Sequence, residues 1–179
     1  MKVIVLGAGV IGVTTAWFLS QSGHHVELID QCDLPAEETS YANAGLLAPS
    51  DAFGWARPSA PWTYFQSLFH SDWGIRIVPK LDKDLLFWSL RFLRECCYKK
   101  FRKNSIIKFD LARYSLECLN DIVAKTKINF NHKKKGILYL YGTNTSLQHA
   151  DKNFDMLREL GWDMPLLNKA DLLKIEPFN

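Results

Sequence analysis

Three glycines at G-x-G-x-x-G spacing, in Gly7-Ala8-Gly9-Val10-Ile11-Gly12, are the residues of this sequence best placed to do chemistry. What they suit is holding an anion. Gly7 permits a tight turn, Gly9 leaves no side chain in front of a pyrophosphate, and Gly12 lets a helix approach a strand closely. Backbone N–H groups at Val10 and Ile11 would then face the anion, with the positive end of a helix dipole behind them. Asp30 lies 18 residues beyond Gly12. There a carboxylate can accept hydrogen bonds from ribose hydroxyls, and it would repel the extra phosphate of NADP. A second segment, Thr39-Ser40-Tyr41-Ala42-Asn43-Ala44-Gly45, has small residues that let backbone approach a planar ring. Ser40 and Asn43 offer hydrogen bonds to a pyrophosphate or a flavin edge. On spacing alone an ordinary polar turn accounts for this segment equally well. The glycine motif by itself does not choose between FAD and NAD.

The elements that must position these groups are legible around them. Lys2 to Leu6 is a short β-branched run suited to a strand buried on both faces. From Val10, the residues Val10, Val13, Ala16, Trp17 and Ser20 recur at helical spacing, with Gly23 as C-cap. His25 to Ile29 reads as a second strand, completing a βαβ unit.

Residues 31–61 contain no long periodic segment, and the aromatics Phe53, Trp55, Trp62, Tyr64, Phe65 and Phe69 favour a packed, functional loop region. Asp82 should cap a helix running to about Lys100, with Leu85, Trp88, Phe92 and Cys96 along one side. Ile107, Leu111, Tyr114, Cys118, Leu119 and Ile122 predict a second amphipathic helix, best read as ordinary core packing. Ile128 to Phe130 and Ile137 to Tyr141 predict an antiparallel strand pair turning through Lys133, Lys134, Lys135 and Gly136. A third helix is expected from about Thr145 to Leu160, stopped by Gly161, and a short final one capped by Asn168 or Asp171 and halted at Pro177.

Composition narrows the class. The chain has 179 residues, 47% hydrophobic and 23% charged, with a net charge of +3. That is a globular composition, too mildly basic to argue for nucleic acid. The lysine cluster after His132 reads as a solvated tip. Cys32, Cys96, Cys97 and Cys118 form no CxxC pair, so neither a disulfide framework nor a zinc site is expected, and no metal is assigned. The uncharged run from Val3 to Gly23 mimics a secretory signal, but its glycines sit where a phosphate-binding turn wants them; neither a cleaved signal nor a spanning helix is expected.

VIVLGAGVIGVTTAWFLSQSGHHVELID followed by ETSYANAG resembles the FAD-dependent D-amino acid oxidase superfamily, whose members pair the glycine motif with an S-x-x-N-A-G loop. Within it the sequence is most similar to the bacterial D-amino acid dehydrogenase small subunits. The segments WARPSAP, LLFWSLRFLREC, ARYSLECL and KGILYLY extend the likeness over essentially the whole chain. The resemblance implies FAD as cofactor and oxidation of D-amino acids, D-alanine among them, to 2-oxo acids and ammonia. It further implies electron transfer to a respiratory acceptor, and a cytoplasmic location extending to the cytoplasmic face of the inner membrane.

By carry-over, the cofactor-binding residues are Val3, Ile4, Val5, Leu6, Gly7, Ala8, Gly9, Val10, Ile11, Gly12, Val13, Thr14, Thr15, Ala16 and Trp17, then Asp30, and then Ser40, Asn43, Ala44 and Gly45 near the flavin. Gln31 departs from the Arg that related proteins often carry there, which weakens an adenine-side contact. No catalytic residue is nominated, because hydride transfer belongs to the cofactor. Tyr41, Arg57 and His70 are better explained by loop packing or exposure.

The expected fold class is therefore α/β. It comprises an incomplete FAD-binding Rossmann-like βαβ domain with its flavin-proximal loop (1–61), plus part of an antiparallel-sheet α+β substrate domain (62–179). One parallel βαβ unit does not make a complete sheet. Family members are more than twice as long, so the chain is expected to be an N-terminal portion that binds FAD weakly at most and has no turnover alone. A self-standing NAD-binding module and an inactive or split-enzyme partner are the competing readings.

Overall fold

The computed structural model describes residues 1–67 and 82–175. The chain divides into two units, Met1–Leu47 and Ala48–Asn179.

The first unit is the βαβ motif. Strand β1 (Lys2–Leu6) leads through the glycine turn into helix α1 (Val10–Gln21), and strand β2 (His25–Ile29) returns parallel to β1. The register is Lys2 with His25 through Leu6 with Ile29. Gly23 stops α1 in the left-handed conformation (φ 81°) that a side chain disfavours, and the His24 N–H returns to the Leu19 carbonyl.

The helix face that meets the sheet differs from the expected Val10, Val13, Ala16, Trp17 and Ser20 stripe. Gly12 is buried, and Ala16 and Leu19 are half-buried below it, while Val10 and Val13 are exposed. A Cβ on Gly12 would stand only 1.7 Å from the Gly7 carbonyl oxygen and 3.6 Å from Leu28. The close approach at Gly12 thus sets the rotation of α1, and the apolar periodicity follows from it rather than fixing it.

The second unit is helical. A short 3-10 turn (Pro49–Asp51) and α2 (Ala60–Ser67) occupy the segment expected to be irregular and its continuation. Pro61 falls in the first turn of α2, where its lacking N–H costs nothing. Phe69 lies outside the described residues.

Asp82 caps α3 (Lys83–Glu95) as expected, its carboxylate accepting the N–H groups of Asp84 and Leu85. The helix stops five residues short of Lys100, because Cys96 turns away and Cys97 is extended (φ −110°, ψ 149°), serving as N-cap of α4 (Tyr98–Thr126). No glycine or proline marks this break. The two helices expected around residues 82–122 therefore divide at the adjacent cysteines rather than near Lys100.

The core of this unit lies along α4. Phe101, Ser105 and Phe109, one turn apart, are its buried residues. Phe53 stacks on Phe101, Trp162 meets Phe109 edge-on, and Met156 and Leu157 of α5 (Asn144–Glu159) are also buried. The buried Ser105 hydroxyl accepts the Gly54 N–H at 2.9 Å, so neither polar group is stranded. Arg102 reaches Glu159 at 2.7 Å between α4 and α5. Thr143 caps α5, Gly161 ends it at φ 79°, and Asn168 accepts the Asp171 N–H at the start of α6 (Lys169–Ile175). The expected stop at Pro177 lies outside the described residues.

The antiparallel pair expected at Ile128–Phe130 and Ile137–Tyr141 is not formed. The only sheet among the described residues is β1 with β2. Lys127 turns the chain in the left-handed conformation, His132 stacks on Phe130, and Ile128 and Leu140 remain exposed. An isolated two-stranded hairpin is marginal in water, and among the described residues no third strand pairs with these segments, although Tyr139 packs its ring on Phe154 of α5. No helix among the described residues is long and apolar enough to cross a membrane.

Candidate cofactor site

The site is built on the turn between β1 and α1. Gly7 (φ 94°) directs its N–H to the Ile29 carbonyl at 2.7 Å, locking the turn to the end of β2. Gly9 is the N-cap of α1 and brings no side chain to cap the helix. Ser40 supplies one from 30 residues away, its hydroxyl oxygen accepting the Val10 N–H at 3.0 Å. A Cβ on Gly9 would come within 3.1 Å of that oxygen, closer than most such contacts. The two glycine positions therefore have separate tasks. Gly12 admits the helix to the turn, and Gly9 admits an oxygen to the helix end.

Asp30 sits where β2 ends, and both of its oxygens are engaged. Oδ2 accepts the Ala8 N–H and Oδ1 the Cys32 N–H, the latter at 2.9 Å. The Ala8 and then the Cys32 hydrogen bond hold the carboxyl below its ordinary range, so Asp30 is ionised at neutral pH. A carboxylate oxygen accepts more than one hydrogen bond, so both retain capacity for a hydroxyl donor. Burial, and next the adjoining Asp30, push the Cys32 thiol up, which keeps it protonated and a poor nucleophile.

The segment from Gln31 to Gly45 lies against the glycine turn as a strap. The Ala36 N–H donates to the Ala8 carbonyl at 3.0 Å, so Ala8 is held through its N–H by Asp30 and through its oxygen by Ala36. Ala36 adopts φ 65°, which L-residues disfavour. Gln31 donates to Glu38 at 2.6 Å, and Glu37 accepts the Leu34 N–H at 3.3 Å. Asn43 folds the far end, its amide donating to the Ser40 carbonyl at 3.3 Å and its Oδ1 accepting the Gly45 N–H at 2.7 Å. Asn43, Ala44 and Gly45 are exposed, and Gly45 turns through φ 61°.

The candidate residues thus divide into those brought together and those left apart. Gly7, Ala8, Gly9, Val10 and Gly12 converge with Asp30 and Ser40, while Asn43, Ala44 and Gly45 hold the strap's end. Ile11 is exposed at the helix start, and Thr14 returns its hydroxyl to the Val10 carbonyl at 2.7 Å. Val3, Val5, Ala16 and Trp17 are half-buried, Val13 and Thr15 face solvent, and Ile4 and Leu6 are exposed on the sheet. Tyr41 is exposed, Arg57 lies 6.0 Å over the Phe101 ring in the second unit, and His70 is outside the described residues. Ala36 was not singled out by sequence, since nothing in an alanine's identity signals a left-handed backbone. The Gln31–Glu38 pair is the kind of contact a seven-residue spacing across a turn could have suggested.

The arrangement fits a dinucleotide. An anion at the start of α1 meets backbone N–H groups, the helix dipole and the Ser40 hydroxyl, and the ionised Asp30 stands at the strand end for hydroxyl donors.

Comparison with known proteins agrees. The family model described as FAD dependent oxidoreductase matches residues 2–179. The chain is 42% identical over 177 residues to the D-amino acid dehydrogenase 2 of Mesorhizobium japonicum, a match covering 99% of the chain and 42% of that relative. It is 38% identical over 177 residues to the D-amino acid dehydrogenase of Phenylobacterium zucineum, again covering 99% of the chain and 42% of the relative. The chain thus spans about two-fifths of the length of these curated relatives. No solved structure matches it. The chain belongs to the FAD dependent oxidoreductase family, and its cofactor is FAD.

Proposed function

We propose that this chain carries the FAD-binding part of a D-amino acid dehydrogenase, an enzyme that oxidises D-amino acids such as D-alanine to 2-oxo acids and ammonia and passes the electrons to a respiratory acceptor. The observation that supports it is the meeting of the Val10 N–H, the Ser40 hydroxyl and the Asp30 carboxylate around one glycine turn.

In this reading the α1 N-terminus and Ser40 hold the pyrophosphate, Asp30 holds the adenosine ribose, and Asn43, Ala44 and Gly45 shape the backbone beside the flavin. Ionised Asp30 orients the ribose without a proton-transfer role. When bound, the flavin supplies the hydride acceptor for the substrate Cα–H. The flavin-proximal segment extends to residue 61. Residues 128–130 and 137–141 belong to an antiparallel sheet of the substrate domain, which forms when further strands cover them. The place of action is the cytoplasm, at the cytoplasmic face of the inner membrane.

The test is dye reduction driven by D-alanine, with purified chain and added FAD. The chain alone should give no turnover, and co-production with a polypeptide equivalent to the remaining length of a relative should restore it. Robust turnover by the chain alone would contradict the reading of it as a portion of the enzyme. Bound nicotinamide dinucleotide in place of a flavin would support a self-standing NAD module.

A further inference from the structure

Helix α1 is capped by a residue that is not its neighbour. Asp82 and Thr143, each immediately before its own helix, cap α3 and α5. Gly9 offers α1 no such group, and the hydroxyl of Ser40 takes the Val10 N–H at 3.0 Å instead. That N–H belongs to the first turn of the helix, the place where helix N–H groups hold a pyrophosphate oxygen. One donor therefore has two claimants. The backbone around Ser40 is fixed without the Val10 bond. The Tyr41 N–H donates to the Glu38 carbonyl at 2.9 Å, the Asn43 amide to the Ser40 carbonyl at 3.3 Å, and the Ala36 N–H to the Ala8 carbonyl at 3.0 Å. With its Cα held on both sides, Ser40 can move its hydroxyl by rotation alone, and the strap stays in place.

We infer that Ser40 is an exchangeable cap: its oxygen holds the Val10 N–H until a pyrophosphate oxygen takes that N–H, and the hydroxyl then turns to donate to the same anion. This rests on the dinucleotide reading above and deepens it, by giving Ser40 a second orientation in a defined order. A hydroxyl suits the task because it carries one proton and two lone pairs, so it accepts in one orientation and donates in another. A carboxylate at this position would cap the helix, but it accepts only and would repel a phosphate. An alanine would leave the Val10 N–H without its partner before the dinucleotide arrives. In the exchange one N–H changes acceptor and one hydroxyl changes from acceptor to donor, so neither arrangement strands a donor. Gly9 leaves room for the turning oxygen, since a Cβ there would come within 3.1 Å of it.

The test uses the full chain with ADP as the probe and follows solvent exchange of the Val10 amide by NMR. Without ADP, the amide should exchange about fivefold faster in Ser40→Ala than in the parent, the size of a lost cap bond. With ADP saturating both proteins the two rates should become equal, because a phosphate oxygen then holds the N–H in each. Ser40→Thr keeps the hydroxyl and should follow the parent in both conditions. Ser40→Asp should melt no lower than the parent, as a good cap at a helix N-terminus, yet bind ADP about tenfold more weakly or worse. Its retained melting temperature separates competition at Val10 from misfolding. A Val10 amide that still depends on Ser40 when ADP is bound overturns the exchange, since the hydroxyl then remains its partner. Equal rates in the parent and Ser40→Ala without ADP overturn it as well, and so does parental ADP affinity in Ser40→Asp. These results leave the FAD assignment standing. A parent that binds neither ADP nor FAD rejects the exchange and the dinucleotide reading together.

Discussion

The carboxylate of Asp30 accepts the backbone N–H of Ala8, 22 residues earlier in the chain, and so ties the end of β2 to the glycine turn. One residue therefore shapes the turn and is also the one proposed to hold the ribose. Asp30→Ala removes both functions and leaves the Ala8 and Cys32 N–H groups without their acceptor. FAD affinity should fall at least tenfold, a loss of about 1.4 kcal/mol or more. Asp30→Asn keeps an acceptor oxygen and should fall in between. Fluorescence titration with FAD checks the order; equal affinities for the three proteins would remove Asp30 from the site.

Acid should act through the same group. Asp30 is more acidic when folded than when unfolded, because Ala8 and Cys32 donate to its ionised form. Its contribution is thus fully present above the unfolded carboxyl value of about 3.9 and is lost as pH falls through the lower folded value. FAD binding should persist from pH 7 down through the ordinary carboxylate range and fail only beneath it. Asp30→Asn should lose this acid limb. A wild-type midpoint above about pH 5 that Asp30→Asn leaves in place would assign the transition to other groups.

The two inner glycines should fail differently. A Cβ on Gly12 meets backbone at 1.7 Å, so Gly12→Ala must push α1 off the turn, costing about 3 kcal/mol or more and broadening the spectrum of the whole first unit. A Cβ on Gly9 meets only the Ser40 hydroxyl, at 3.1 Å, which can rotate away. Gly9→Ala should keep its circular dichroism yet bind FAD poorly. Identical behaviour of the two variants would contradict this division.

These positions also show how far the sequence could be read. The glycine spacing and the acid beyond it identify the βαβ unit, because backbone chemistry there tolerates few alternatives. The rotation of α1 was not legible from Val10 and Val13, since one steric contact at Gly12 outweighs the apolar stripe. The break at Cys96–Cys97 carries no glycine or proline, so local propensity gave no warning of it. The segments at 128–130 and 137–141 have strand-like composition, but strands need partners, and pairing is a property of the surrounding fold.

Ala36 offers a stabilising change. Its left-handed φ of 65° costs an alanine about 1–2 kcal/mol, while glycine adds about 0.5–1 kcal/mol of unfolded-state entropy to overcome. Ala36→Gly should therefore stabilise the chain by about 0.5 kcal/mol and leave the Ala36 N–H on the Ala8 carbonyl. Denaturant unfolding measures it. A clear loss of stability would show that the strap does not hold this backbone in solution.

The glycine turn, Asp30 and Ser40 are proposed to form an FAD site. Equilibrium titration of the purified chain with FAD, followed by quenching of flavin fluorescence and repeated with ADP and FMN as competitors, tests it most directly. Saturable one-to-one binding that ADP displaces and FMN does not is the expected result, because the proposed contacts are to pyrophosphate and adenosine ribose. Binding displaced by FMN and untouched by ADP would contradict the account.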